Sequence, residues 1–286
     1  GLALARLRGA LTVVDCDDFD GADRGPLLAL AVRALQGPAF HLAHMACTHH
    51  PDLKRVLESR LGLNRVVDLA QGADLDLFKG AHNPRAAARR RWGLERGRPC
   101  LAFTAHLNIA CRLPMLISLL GPWLRNHPKA VLLVAGSGPW GDRFKALAAP
   151  LGAQVRFLGQ LSPADCADVL AASDCLVTAY GTGQSDRHRV PMKVGEALSL
   201  GVPVVTTPLA GLRHLARFVE QAQPNPKAFG EALDRALRSG KARAGRGRTW
   251  VRRELDWTRV AARFLDQLRH GHVLPYGIHE AMCPQP

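Results

Sequence analysis

The chain has 286 residues, 47% of them hydrophobic, and a formal net charge of +14. That length holds one large or two ordinary domains, and the apolar share suits a packed core. No apolar run reaches the ~18–20 residues of a membrane span, and aromatic residues make up only 6%, too few for an interleaved base-stacking platform, so no nucleic-acid partner is expected.

The opening GLALARLRGA lacks Met and is too short and broken for a signal peptide, so the sequence reads as an interior start. Seven cysteines, odd in number and without C-x-x-C spacing, read as free buried thiols in a reducing, cytoplasmic compartment. The positive charge predicts attraction to polyanions, and an anionic membrane face is the expected one. The arginine-rich stretches Arg85–Arg98 and Lys241–Arg253 also read as plain solvated helix faces.

In chain order, Ala10–Val14 is a short apolar strand that runs into Asp15-Cys16-Asp17-Asp18. A strand followed by D-x-D also begins Mg²⁺-dependent phosphatases, which gives Asp15 and Asp17 an alternative reading. Pro26–Leu35 is a helix, His41–Cys47 a strand, Asp52–Leu61 an amphipathic helix stopped by Gly62, and Arg65–Leu69 a strand. The adjacent His49 and His50 read as surface loop residues, since a pair without a third ligand is a weak metal signal. Ala81–Arg98 is a basic, Pro-interrupted linker and first helix.

A second series follows: strands at Pro99–Thr104, Ala130–Ala135, Val155–Leu158, Cys175–Thr178 and Val202–Thr206, with helices at Pro114–Leu124 and Pro163–Ala172 between them. Alternation at these lengths predicts α/β architecture with parallel sheets. Gly136-Ser137-Gly138-Pro139 follows one strand and opens a helix. Such a turn lets backbone N–H groups approach a phosphate or ribose, and it is also a common tight βα turn. Phe218–Ala222 is an edge strand, Lys227–Leu237 a helix, Gly240–Gly247 a glycine- and arginine-rich link, Trp250–Leu268 a last long helix, and Gly271–Pro286 a loose tail.

The most informative stretch is Ser185–Gly211. Pro191 suits the first turn of a helix, Met192, Val194, Ala197, Leu198 and Leu200 form its apolar face, and Gly201 ends it. Lys193 and Glu196 are three apart and share one side of that helix. The helix N-terminus, with Lys193 in its first turn and Arg187 and Arg189 just before, can seat a diphosphate. Glu196, one turn further in, can accept hydrogen bonds from sugar hydroxyls. The alternative is a solvated Lys–Glu pair beside a basic loop.

The motif P-x-K-x-x-E-A-L-x-x-G-x-P-V-V-x-T over Pro191–Thr207 resembles the donor-site signature of GT-B-fold glycosyltransferases of the "glycosyl transferases group one" type. The likeness extends over roughly Val66 to Leu268. Further support lies in Gln71–Phe78, which is similar to the family's N-G-V-D-x-x-x-F segment, and in the G-x-G-P turn.

The resemblance implies two Rossmann-like parallel-sheet domains, the first incomplete. Residues 1–80 would form the partial acceptor-side domain and 81–245 the nucleotide-sugar domain. Residues 246–270 would form a helix crossing back to the first domain, and 271–286 the tail. It implies transfer of a sugar from a UDP- or GDP-sugar to a polysaccharide or lipid-linked acceptor, with no cofactor and no metal. It places Glu196 on the donor ribose and Lys193, Arg187 and Arg112 on the diphosphate, with His188 near the sugar. It puts His106, Gly136, Ser137, Gly138, Gly159, Leu161, Pro191 and Met192 around the nucleotide. His188 stands where many members carry a second glutamate, and His106 where the family has arginine. The other reading of the same resemblance is a non-catalytic nucleotide-sugar-binding scaffold.

Overall fold

The computed structural model describes residues 2–17, 30, 34, 37–62, 65–78, 85–183, 186 and 188–270. Arg187, nearly all of the helix expected over Pro26–Leu35, and the Gly271–Pro286 tail lie outside the described residues. The chain forms two compact units: Gly1–Gln71 with Gly183–Val190 and Thr258–Pro286, and Gly72–Thr182 with Pro191–Trp257.

In the first unit, α1 (Leu2–Leu7) precedes β1 (Val13–Asp15), and β2 (Met45–Thr48) is followed by α2 (Pro51–Leu61) and β3 (Val66–Asp68). The strands are parallel in the order β1-β2-β3, with Val13 opposite Met45 and Ala46 opposite Val66. Alternation sends side chains to opposite faces. Ala46 and Val66 join Leu53 and Leu57 of α2 on one face, whereas Met45, Cys47 and Val67 meet Phe264 and Leu268 of the chain's last helix on the other. Gln267 of that helix accepts from the Asp68 N–H at 3.3 Å and donates to its carbonyl at 3.1 Å, completing the free edge of β3. Helix α2 is bounded as its sequence dictates. His50 Nδ1 accepts from the Asp52 N–H at 3.0 Å, Pro51 follows, and Gly62 turns left-handed at φ 62°.

The expected strand His41–Cys47 mixes two elements. Residues 37–42 are helical, and the strand begins at Met45. The turn between them is pinned by Thr12, whose hydroxyl lies 2.8 Å from His44 Nδ1.

In the second unit, the chain-order elements are α3 (Leu75–Phe78), α4 (Arg85–Arg91), β4 (Cys100–Thr104), α5 (Leu113–Asn126), β5 (Val131–Ala135), α6 (Gly141–Ala148), β6 (Val155–Gly159), α7 (Pro163–Ala172), β7 (Cys175–Val177), α8 (Met192–Ser199), β8 (Val204–Thr206), β9 (Glu220–Gln221) and α9 (Pro226–Glu254). The last helix, α10, runs Trp257–His270. The six strands are all parallel, in the order β6-β5-β4-β7-β8-β9. This is the arrangement of a doubly wound sheet, whose order reverses between β4 and β7. Both faces are covered, so β5, β7 and β8 are buried along their whole length and read as unbroken apolar runs. Leu101, Phe103, Leu132 and Val134 pack on one face with α5 and with Phe229 and Leu233 of α9.

The expected link at Gly240–Gly247 is instead the interior of α9, which runs unbroken for 29 residues. The glycines mark close packing. A Cβ at Gly240 would come within 3.0 Å of Pro203, and one at Gly247 within 2.9 Å of Leu198. The expected single helix Trp250–Leu268 is broken at Leu255 and Asp256. There the backbone leaves the helix so that Leu255 O accepts from Ala73 N at 2.6 Å and the Trp257 indole lies flat on Gly72.

Candidate functional site

The carboxyl ends of β4, β5 and β6 carry three loops that are knitted together. Ala105 N donates to Ala135 O at 3.0 Å, Leu107 N to Ser137 O at 2.8 Å, Trp140 N to Leu107 O at 3.0 Å, and Gly136 N to Gly159 O at 2.8 Å. Ser137 Oγ reaches Gln160 at 3.2 Å. Two glycines allow this approach: a Cβ at Gly136 would lie 1.8 Å from Ala105 O, and one at Gly138 2.5 Å from Leu107 O. Their φ values of 140° and 157° also favour glycine. The G-x-G turn thus has a packing reason that requires no ligand. Gly159 turns at φ 73°, and Leu161 just beyond is half-buried.

The loop after β4 ends in a short 3₁₀ turn, Ile109–Cys111, capped by Asn108. Arg112 joins it to α5 in the left-handed region, at φ 56° and ψ 24°. A non-glycine residue there carries backbone strain of roughly 1 kcal/mol, which the surrounding fold must hold. His106 is exposed in this loop.

Helix α8 brings Lys193 to the same end of the sheet. Its Nζ lies 4.9 Å from the centroid of the ring of Phe103, the next-to-last residue of β4. Val194, Ala197 and Leu198 are fully buried and seat the helix. Met192, expected on the apolar face, is 42% exposed, because it opens the helix on its outer side. Pro191 is the residue before the helix, at φ −72°, and Gly201 ends the turn after it at φ 72°. Glu196 is half-buried, and its carboxylate accepts no hydrogen bond from a described residue. Burial pushes its carboxyl above the usual carboxylate range, with Lys193 pulling the other way. A raised, unengaged carboxylate beside a cation, at the carboxyl edge of a doubly wound sheet, is suited to accepting ligand hydroxyls.

The remaining candidates belong to the first unit or fall outside the described residues. His188 lies in the 183–190 segment, where its ring stands edge-on to His50 with centroids 5.3 Å apart. The expectation that His49 and His50 lie on the surface is corrected. The His49 side chain is 5% exposed and bonded to Asp17 at 2.9 Å, and His50 is 2% exposed. Both imidazoles are consumed in holding loops, a role that sequence spacing does not reveal. Asp17 also accepts from Gln71 at 2.7 Å, and Asp15 accepts the Cys47 thiol at 3.4 Å. His49 holds the Asp17 carboxyl below the usual range, against the effect of burial.

The second unit is a doubly wound, all-parallel α/β domain, and over most of its length the chain superimposes on glycosyltransferase structures. It aligns with Anabaena Alr3699/HepE in complex with UDP-glucose at a TM-score of 0.77, with 16% identity, over 94% of this chain and 75% of that one. With sucrose-phosphate synthase from Thermosynechococcus elongatus the TM-score is 0.75, with 18% identity, over 92% and 69%. With WaaG, a glycosyltransferase involved in lipopolysaccharide biosynthesis, it is 0.68, with 20% identity, over 92% and 76%. These likenesses establish the fold. The family profile "Glycosyl transferases group 1" matches residues 84–248. The chain belongs to that family. It is also 27% identical, over 214 residues, to a GDP-mannose-dependent monoacylated alpha-(1-6)-phosphatidylinositol monomannoside mannosyltransferase of Corynebacterium glutamicum. That match covers 70% of this chain and 55% of the relative, so the chain spans about half of that protein's length.

Proposed function

We propose that this protein transfers a sugar from a nucleotide-diphosphate-sugar donor to a polysaccharide or lipid-linked acceptor. The observation that carries the reading is Glu196, half-buried and unengaged on the helix that brings Lys193 over Phe103 at the carboxyl edge of the sheet. In this reading Glu196 accepts hydrogen bonds from the donor ribose hydroxyls. Lys193, Arg112 and Arg187 neutralise the diphosphate as charge develops on the leaving group, a fixed electrostatic stabilisation. Pro191 and Met192 border the diphosphate. The loops holding His106, Gly136, Ser137, Gly138, Gly159 and Leu161 line the nucleotide, and His188 serves the sugar. The second unit is the donor domain and the first the acceptor side.

The relatives support a nucleotide-sugar donor without fixing its base, since the Corynebacterium enzyme is named for GDP-mannose and the Anabaena protein was solved with UDP-glucose. No helix among the described residues is long and apolar enough to cross a membrane. Work in the cytoplasm, at the membrane face where a lipid-linked acceptor is presented, fits the +14 charge.

The test is calorimetric binding of UDP and GDP, without added metal, to the wild type and to Glu196→Ala. The wild type should bind one nucleotide. The variant should lose on the order of 1–3 kcal/mol, that of a hydrogen bond to a charged group. Binding of neither nucleotide, or equal binding by the variant, overturns the reading.

A further inference from the structure

Two arginine-rich stretches stand out, and the structure uses them differently. In α4, Arg85 and Arg89 reach the last carbonyls of α7. Arg85 bonds Ala171 O at 2.9 Å and Arg89 bonds Ala172 O at 3.0 Å, and both meet Asp174. Arg91 binds Asp165 and Asp168 at 2.6 and 3.1 Å. These guanidiniums are structural: they cap a helix C-terminus and tie α4 to α7.

Helix α9 is different. Between Arg235 and Arg253 it carries eight cations and no carboxylate. Arg235 and Arg243 answer Glu220, and Arg253 answers Glu254. Arg238, Lys241, Arg246 and Arg248 are exposed and make no hydrogen bond or ion pair to a described residue. The opposite side of the helix is spoken for, with Ala236, Gly240, Ala244, Gly247 and Val251 buried. Spacings of three, five, seven and ten residues therefore leave these four cations on the outward half of the helix. The exposed residues among them are Ser239, Ala242, Gly245 and Thr249, all small, so the long cationic side chains stand clear of the surface. From Arg238 to Arg248 the row is about 15 Å long at the helical rise. Lys241 also borders a cleft of about 370 Å³ that Arg98 and Asp174 line, which adds another cation to the same side.

We propose that the outward face of α9 is a docking surface for an anionic phospholipid bilayer. A row of unpaired cations on one helix face, with only small side chains among them, fits a plane of phosphate headgroups that it touches without inserting. Nucleic acid fits less well. The one aromatic residue of the stretch, Trp250, packs inward on Phe218 and His214, with ring centroids 5.8 Å away from each, so nothing is offered for base stacking. Each cation within reach of the bilayer contributes roughly a fivefold gain in partition at low salt, so the four together account for a gain on the order of a hundredfold or more.

This inference rests on α9 alone and is independent of the donor-site reading. The experiment is flotation of the full chain with phosphatidylcholine vesicles, with and without phosphatidylglycerol, at low and high salt. The wild type should float with the phosphatidylglycerol vesicles at low salt, release at high salt, and ignore pure phosphatidylcholine. The variant Arg238→Glu/Lys241→Glu/Arg246→Glu should lose that binding by about a hundredfold or more while keeping its melting temperature. A second variant, Arg238→Lys/Arg246→Lys, should bind as the wild type does. Unchanged binding by the charge-reversed variant, equal binding to both vesicle types, or displacement of the chain from vesicles by equimolar RNA overturns the proposal.

Discussion

Both units end parallel strands in polar loops, but they treat the polar groups there in opposite ways. In the first unit the groups satisfy one another. Asp17 takes His49 and Gln71, Asp15 takes the Cys47 thiol, and Asp68 takes Lys54 at 2.9 Å. In the second unit the loop backbones are locked together, yet Glu196 and His106 are left without a hydrogen bond from a described side chain. A half-buried carboxylate without a partner costs stability, and chains keep such groups where a ligand will complete them. Satisfied carboxyl-end loops hold a scaffold; unsatisfied ones on a rigid platform mark where chemistry is offered.

The contrast breaks most violently at the platform. Gly136→Ala sets a Cβ 1.8 Å from Ala105 O at a φ of 140°, so two loops must part. Thermal or urea unfolding should show a loss on the order of 3–4 kcal/mol, and nucleotide binding should fall with it. Gly62→Ala is the control. Its φ of 62° and ψ of 28° are left-handed and disfavoured for alanine, but nothing lies within 4 Å of the added carbon. It should cost only about 1 kcal/mol and leave binding intact.

Next in size is Lys54→Met in the first unit. The Lys54 and Asp68 side chains are 16% and 12% exposed, so removing the cation leaves a largely buried carboxylate. A loss of about 2–3 kcal/mol is expected. Calorimetry should find nucleotide affinity unchanged, because this group holds the scaffold; a matching loss of affinity would contradict the division drawn between the two units.

Much of this was legible in the sequence, and the failures have physical causes. Strands buried on both faces announce themselves as unbroken apolar runs, so β4, β5, β7 and β8 could be placed to within two residues; the half-buried edge strand β6 was placed by Val155, Phe157 and Leu158. Helix α8 was equally plain, since Gly201 and Pro203 punctuate it. Gly240 and Gly247 misled because a glycine that admits a neighbouring side chain looks, in one dimension, like a glycine that ends a helix. The break at Leu255 depends on a backbone bond to Ala73, far away in sequence. His49 and His50 looked like surface residues because their partners are Asp17, far off in the chain, and the N–H of Asp52, which has no side-chain signature. The pairing of Lys193 with Phe103 joins residues separated in the chain by three strands, β5 to β7, and has no local signal at all.

The smallest effect is the most discriminating, because it has opposite signs in the two units. Burial raises the Glu196 carboxyl, so the folded state holds its proton more tightly than the unfolded chain does. Its charge therefore lowers stability above that raised value, and stability returns as pH falls through it. His49 lowers the Asp17 carboxyl, so that group adds stability above the ordinary carboxylate range, and the gain is lost as pH falls through the depressed value. Near neutral pH, Glu196→Gln should raise stability by roughly 0.5–1 kcal/mol while weakening nucleotide binding. Asp17→Asn should lower stability by only a few tenths of a kcal/mol, since its side chain is 67% exposed and screened by solvent, and should leave binding alone. For the wild type, affinity for the nucleotide should begin to fall, on acidification, at a higher pH than an ordinary carboxylate would allow, and Glu196→Gln should abolish that fall. If both substitutions destabilise alike, Glu196 is held by the fold just as Asp17 is, and the second unit offers no unengaged carboxylate to a ligand.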